Sequence, residues 1–176
     1  VTGVSLPRRR VGVLLHPTAL PDSPVCGGLG QPARAWIRSL AANGIGLWQV
    51  LPLSPPDGTG SPYSSPSSFA INPWLLDAKD LSDQGFLHPG DLESLPGAEA
   101  ASAEVDFSLA SRRATVLAER LGARWHQQPH SRRAAFDRWR RDQSSWLLDH
   151  AAFMVLRDQN EGRPWWEWPQ ALAVRD

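Results

Sequence analysis

"VGVLLHP", Val11 to Pro17, is a continuous apolar run stopped by a proline. Nothing in it alternates, so no face is reserved for water. Such a run predicts a short strand buried on both faces, as strands of parallel sheets are. The linker from His16 to Gly30 is rich in Pro and Gly. Ala33, Trp36, Ile37, Leu40 and Ala41 then recur at helical spacing, Pro32 stands near the first turn, and Gly44 follows the last periodic residue. That pattern predicts a helix with a stop signal. A second apolar run lies within Ile45 to Leu53 and includes Trp48, Val50 and Leu51. Strand, helix and strand in this order form a right-handed parallel crossover. The run Arg8-Arg9-Arg10 precedes the first strand and reads as its exposed entry. The apolar stretch after it is shorter than the ~7–15 residues of a signal-peptide core.

Beyond Trp74 the strand signal stops. Asp77 is placed to cap a short helix through Gln84 with Gly85 as its terminator, and "HPGDLESLPGAEA" reads as a loop. Helices are expected near Phe107 to Trp125, Arg132 to Arg141 and Ser144 to Gln159, the last with Trp146, His150, Phe153 and Met154 on one face. The tail "GRPWWEWPQAL" is aromatic and broken by Pro. Parallel strands need several neighbours and cover on both faces. Two strands followed by helices therefore read as the opening of a larger α/β protein, or else as a small domain whose helices close over an incomplete sheet.

Lys plus Arg and Asp plus Glu number 18 each, so the formal net charge is zero. The electrostatic footprint of a nucleic-acid binder is missing. No stretch reaches the ~20 apolar residues of a membrane span. The single Cys, Cys26, excludes an internal disulfide and fits a reducing cytosol.

In α/β folds the site lies beyond the carboxyl ends of parallel strands. The two loops there are His16 to Gly30 and Ser54 to Pro73. The second contains "GSPYSSPSSFAINPW", Gly60 to Trp74, and holds the only Tyr in a chain with nine Trp. A Tyr in a loop stiffened by Pro62 and Pro66, with Ser61 and Asn72 nearby, offers a flat apolar face and short polar groups. That set suits a sugar, which has C–H faces to stack and hydroxyls to bond.

Other patterns point elsewhere. "GLGQPA", Gly28 to Ala33, matches a dinucleotide fingerprint at a helix start, but more than ten residues separate it from the strand and Pro32 removes an amide. His126 and His130 stand at i, i+4 but straddle "QQP", a poor metal pair. His16 ends the first strand, where a role in bonding the loop backbone competes with catalysis. Trp165, Trp166 and Trp168 read as buried packing, with a sugar platform as the other reading. A retaining glycosidase needs two carboxylates about 5–5.5 Å apart. Only Asp22 and Asp57 lie in the strand-end loops, and Asp57 in "PPDGTG" is a turn residue. No catalytic residue and no metal ligand is assigned.

"GVLLHPTALP", "GLG", "LWQVLPLSPP", "GSPYSSPSSFAINPWLLD" and "WLLDHAAFMVLRDQNEGRPWWEWP", in this order, resemble the N-terminal portion of glycoside hydrolase family 77, the 4-α-glucanotransferases also called amylomaltases or disproportionating enzymes. The resemblance implies an α/β fold: the first two strands of a (β/α)8 barrel in residues 1–77, with the SPY loop, and a mostly helical insertion in 78–176. It implies an enzyme that transfers α-1,4-glucan segments through a covalent intermediate with no cofactor, and whose partner is a maltooligosaccharide; a cytoplasmic location is the expectation that goes with the lone Cys26. Ser61 and Tyr63 carry over as substrate-binding residues. The family's catalytic carboxylates come from later strands, so a non-catalytic glucan-binding or vestigial module is the competing reading. The chain departs from the family's pattern at Gly58 and Gly60, where a Tyr and an Asp are common, at Gly28 in place of an Asp, and at Pro66 and Ile71 in place of a Phe and a Gly.

Overall fold

The computed structural model describes residues 10–21, 23–98 and 104–174. Arg8, Arg9 and Asp22, singled out above, lie outside them. Two compact units are formed, Val1–Gln128 and Pro129–Asp176.

In the first unit, β1 (Gly12–Leu14) pairs in parallel with β2 (Leu47–Gln49), placing Val13 opposite Trp48. The Trp48 indole N–H donates to the Leu15 carbonyl at 2.8 Å, which locks the register from the side chain as well as the backbone. Between the strands runs α1 (Gln31–Ala42), with Pro32 in its first turn. It ends as its sequence predicts: Gly44 takes φ +71°, Gly44 N–H bonds the Ala41 carbonyl and Ile45 N–H the Leu40 carbonyl. This left-handed closure satisfies carbonyls that a helix end leaves open.

The expected burial of the strands is not met. Neither strand is buried on both faces: Val11, Leu14 and Leu47 are each more than half exposed. Two short strands shield one edge of each other and cannot cover both faces.

The core of this unit lies under the helices instead. Residues α2 (Ala78–Asp83), α3 (Pro89–Glu93) and α4 (Phe107–Ala123) surround Ala78, Leu87, Leu95 and Leu117, with Leu81, Leu92, Val116 and Leu121 against them. The Asp77 carboxylate caps α2 by accepting from Asp80 N–H at 2.9 Å, and Gly85 closes it at φ +75°. The stretch expected as a loop from His88 instead contains α3. His88 N–H donates to the Asp91 carboxylate at 2.8 Å. Asp91 in turn pairs with Arg124, the residue that closes α4, at 3.0 Å, and Arg120 of α4 binds its carbonyl. A five-residue helix does not persist by itself; these contacts from a helix about thirty residues away hold it.

The second unit contains α5 (His130–Asp142), α6 (Leu147–Gln159), a 3-10 turn at Trp165–Glu167 and α7 (Gln170–Ala173). Trp146 and His150 share a face of α6, 6.0 Å apart. The three tail tryptophans divide: Trp168 is buried, lies 5.5 Å from Phe153 and donates to the Arg163 carbonyl at 2.8 Å, whereas Trp165 and Trp166 are more than half exposed. Packing accounts for Trp168 alone.

Candidate functional site

The loop after β2 is stapled by its own short side chains. Asp57 accepts from Thr59 N–H at 2.8 Å and from the Thr59 hydroxyl at 2.5 Å, while Asp57 N–H bonds the Ser64 carbonyl. Gly60 turns the chain at φ +75° with its N–H on the Asp57 carbonyl. The Ser61 hydroxyl oxygen accepts from Tyr63 N–H, and the Ser67 oxygen accepts from Phe69 and Ala70 N–H. Asn72 closes the loop: its N–H reaches the Leu53 carbonyl at 2.7 Å and its buried side chain accepts from Trp74 N–H at 3.0 Å. Such local bonds fix irregular backbone where no ladder is available. They leave Tyr63 74 % exposed, and Phe69 and Ile71 of the same loop are exposed as well.

Beneath the loop is a hollow of about 190 Å³. His16 and Thr18 line it from the end of β1, Gly60, Pro62 and Asn72 from the second loop, and Trp74 and Phe107 from one side. Both strand-end loops therefore meet at one place. Of the two residues expected to bind substrate, neither is in the wall; Gly60 and Pro62 on either side of Ser61 are, and Tyr63 stands outward on the next turn.

His16 bonds through Nδ1 to the Thr18 hydroxyl at 2.7 Å and caps the turn Pro17–Ala19. Its Nε2 is shut off from solvent. Burial lowers its pKa, opposed in part by the Pro52 backbone. The imidazole is thus held neutral, and its contacts are those of a residue organising loop backbone. Asp57 is held below the usual carboxylate range, chiefly by the Thr59 hydroxyl and then by Ser64. It stays ionised at neutral pH and cannot act as a general acid. Burial raises the Cys26 thiol to about 11, against which Arg113 acts weakly. A thiol so protonated is a poor nucleophile.

The glycine-rich turn before α1 has a structural cause. A Cβ on Gly30 would lie 1.7 Å from the Asp77 carboxylate, and one on Gly28 would lie 3.0 Å from the Leu75 carbonyl. The first strand-end loop touches the turn that follows the second there, joined by Leu29 N–H on the Leu75 carbonyl. A carboxylate already occupies the start of the helix, where a nucleotide phosphate would be repelled. Among the described residues no group of three His, Cys, Asp or Glu could hold a metal. No helix among them is long and apolar enough to cross a membrane.

Sequence reasoning missed Phe107 and Trp74. Phe107 was legible only as a helix start, yet its ring stacks on Trp74 at 5.3 Å and forms part of the hollow. Nothing in the local pattern announces a contact spanning more than thirty residues.

The family model for 4-alpha-glucanotransferase, glycoside hydrolase family 77, matches residues 15–176. This chain belongs to glycoside hydrolase family 77. It is 37 % identical to the 4-alpha-glucanotransferase of Thermus thermophilus over 96 % of this chain and 33 % of that protein. It is 34 % identical to the 4-alpha-glucanotransferase of Synechocystis over 97 % of this chain and 34 % of the relative. A chloroplastic/amyloplastic family 77 member from Solanum tuberosum is 34 % identical over 96 % of this chain. The structure superposes on amylomaltase from Streptococcus agalactiae in complex with acarbose with a TM-score of 0.82 and 29 % identity, covering 96 % of this chain and 33 % of that one. The chain spans about a third of the length of the family 77 relatives it matches. Helices following two parallel strands fit the N-terminal part of such a family 77 protein.

Proposed function

We propose that this protein is a 4-α-glucanotransferase that moves α-1,4-glucan segments from donor to acceptor maltooligosaccharides by a retaining double displacement, in the cytoplasm. In this reading residues 1–77 supply the first two strands of a (β/α)8 barrel, 78–176 a helical insertion, and Ser61 and Tyr63 contact the glucan. The observation that carries it is the placement of an exposed Tyr on a self-stapled loop where both parallel strands end, in a chain of family 77. Tyr63 presents a flat ring for the C–H face of a sugar, and the Ser61 hydroxyl suits a sugar hydroxyl. A retaining mechanism needs a nucleophilic carboxylate and an acid/base carboxylate close together. Asp57, tied to its turn, is neither, so this chain acts by holding substrate for carboxylates outside these residues.

The test is disproportionation of maltotriose by the gene product at its natural length, read as glucose release. Tyr63→Ala is expected to lower kcat/KM by about 1–3 kcal/mol in transition-state binding. Unchanged kinetics removes the role of Tyr63. Glucan binding by the natural product without any turnover supports the non-catalytic module.

A further inference from the structure

Resting on that reading of the loop, we propose that Phe107, at the start of α4, is a positioning residue that holds the glucan-contacting loop in place, and that Gly60 is glycine so that its ring can seat there. A Cβ built on Gly60 would meet three carbons of the Phe107 ring at 2.6, 2.7 and 2.9 Å. Real side chains do not approach so closely, so only a hydrogen on this Cα leaves room. Gly60 also holds φ +75°, which glycine adopts at no steric cost. The same ring meets Trp74 in a stacked pair, 5.3 Å between centroids with 22° between planes. One aromatic ring thus touches the loop where it begins, just before Ser61 and Tyr63, and where it ends, just after Asn72 and Pro73.

The ring, 38 % exposed, stands at the first position of a helix that is itself anchored. Asp106 caps α4 by accepting from Leu109 N–H and from the Ser108 hydroxyl, both at 2.9 Å. Further along, Leu117 is buried in the core and the Arg113 guanidinium donates to the Pro96 carbonyl at 2.9 Å. Phe107 thereby ties the loop to a rigid helix in place of the regular backbone ladder that the loop lacks. Gly60 and the ring at position 107 form one complementary pair, whereas Gly58, two residues earlier, has open space around it and belongs to no such contact.

The test compares wild type, Phe107→Ala, Phe107→Tyr, Gly60→Ala and the double variant Gly60→Ala/Phe107→Ala in the natural-length product. Amide hydrogen exchange across 61–73 is measured without ligand, and KM and kcat on maltotriose separately. Loss of the ring is expected to speed exchange in 61–73 roughly tenfold. It should raise KM about fivefold with kcat changed less than about twofold, the signature of a contact that places substrate without touching the reacting atoms. Phe107→Tyr keeps the ring and restores both. Because alanine at 107 removes the obstacle to a methyl at 60, the double variant is expected to fall short of the two single effects multiplied, with only the left-handed backbone strain at 60 and the lost Trp74 contact adding up. Where alanine at 107 also speeds exchange of the core amides around Leu117, Phe107→Leu replaces it in every comparison. Unchanged exchange in 61–73, or single effects that multiply in the double variant, overturns the proposal. If wild type shows no turnover, the proposed function fails while the exchange measurement still decides this one.

Discussion

Replacing Gly30 with Ala tests whether the glycine-rich turn before α1 exists for close packing or for a ligand. The added methyl would lie 1.7 Å from Asp77 Oδ2, 2.1 Å from Cγ and 2.4 Å from Cβ. Ordinary carbon–oxygen contacts need about 3.4 Å, so the Asp77 side chain must retreat by more than an ångström. That movement breaks its cap on the Asp80 amide. Losing such a cap costs about 1 kcal/mol. Pushing two packed loops apart costs a further ~1–3 kcal/mol. The expected loss is ~2–4 kcal/mol, or roughly 5–10 °C in Tm for a chain of this size. Urea unfolding followed by tryptophan fluorescence measures it. Asp77→Ala alone should cost only about the cap, ~1 kcal/mol. The double variant should cost clearly less than the two singles added, because the obstacle is then gone. A Gly30→Ala loss under about 0.5 kcal/mol, with additive singles, refutes the packing account of this turn.

Leu117→Ala is expected to lower stability by about 3 kcal/mol, since Leu117 is 2 % exposed within the helical core; urea midpoints report it, and a loss within error of zero would place the core elsewhere. His16 has a folded-state pKa below its ordinary 6.5 because burial disfavours the charge. Between those two pKa values the unfolded chain binds more protons, so the contribution of His16 is complete above pH 6.5 and shrinks as pH falls below it. Burial lowers His150 in the same direction. His16→Gln should therefore flatten part of the acid-side fall in a stability–pH profile, leaving the part due to His150; a slope unchanged by His16→Gln contradicts the assignment.

Much of the framework was legible along the chain. Helix α1 lies where its apolar spacing puts it, and Gly44 and Gly85 end helices in the left-handed conformation that glycine tolerates. Asp77 caps the helix that follows it. Asp57 is the turn residue its setting suggests. Two features were misread from local pattern alone: α3, which depends on Arg120 and Arg124 from another helix, and the expected burial of β1, which depends on how many strands flank it.

What the sequence determined by itself is therefore local: helical periodicity, caps and stops, turn chemistry, and the family pattern carried by short ordered motifs. These depend on interactions within about four residues, where backbone geometry and side-chain type suffice. Tertiary structure alone decided that Phe107 sits on Gly60 and Trp74, that Asp77 occupies the start of α1, and that His16 meets the second loop's hollow. Each of these pairs groups more than thirty residues apart, and which distant groups meet is set by the packing of whole helices against loops, a quantity no local window contains.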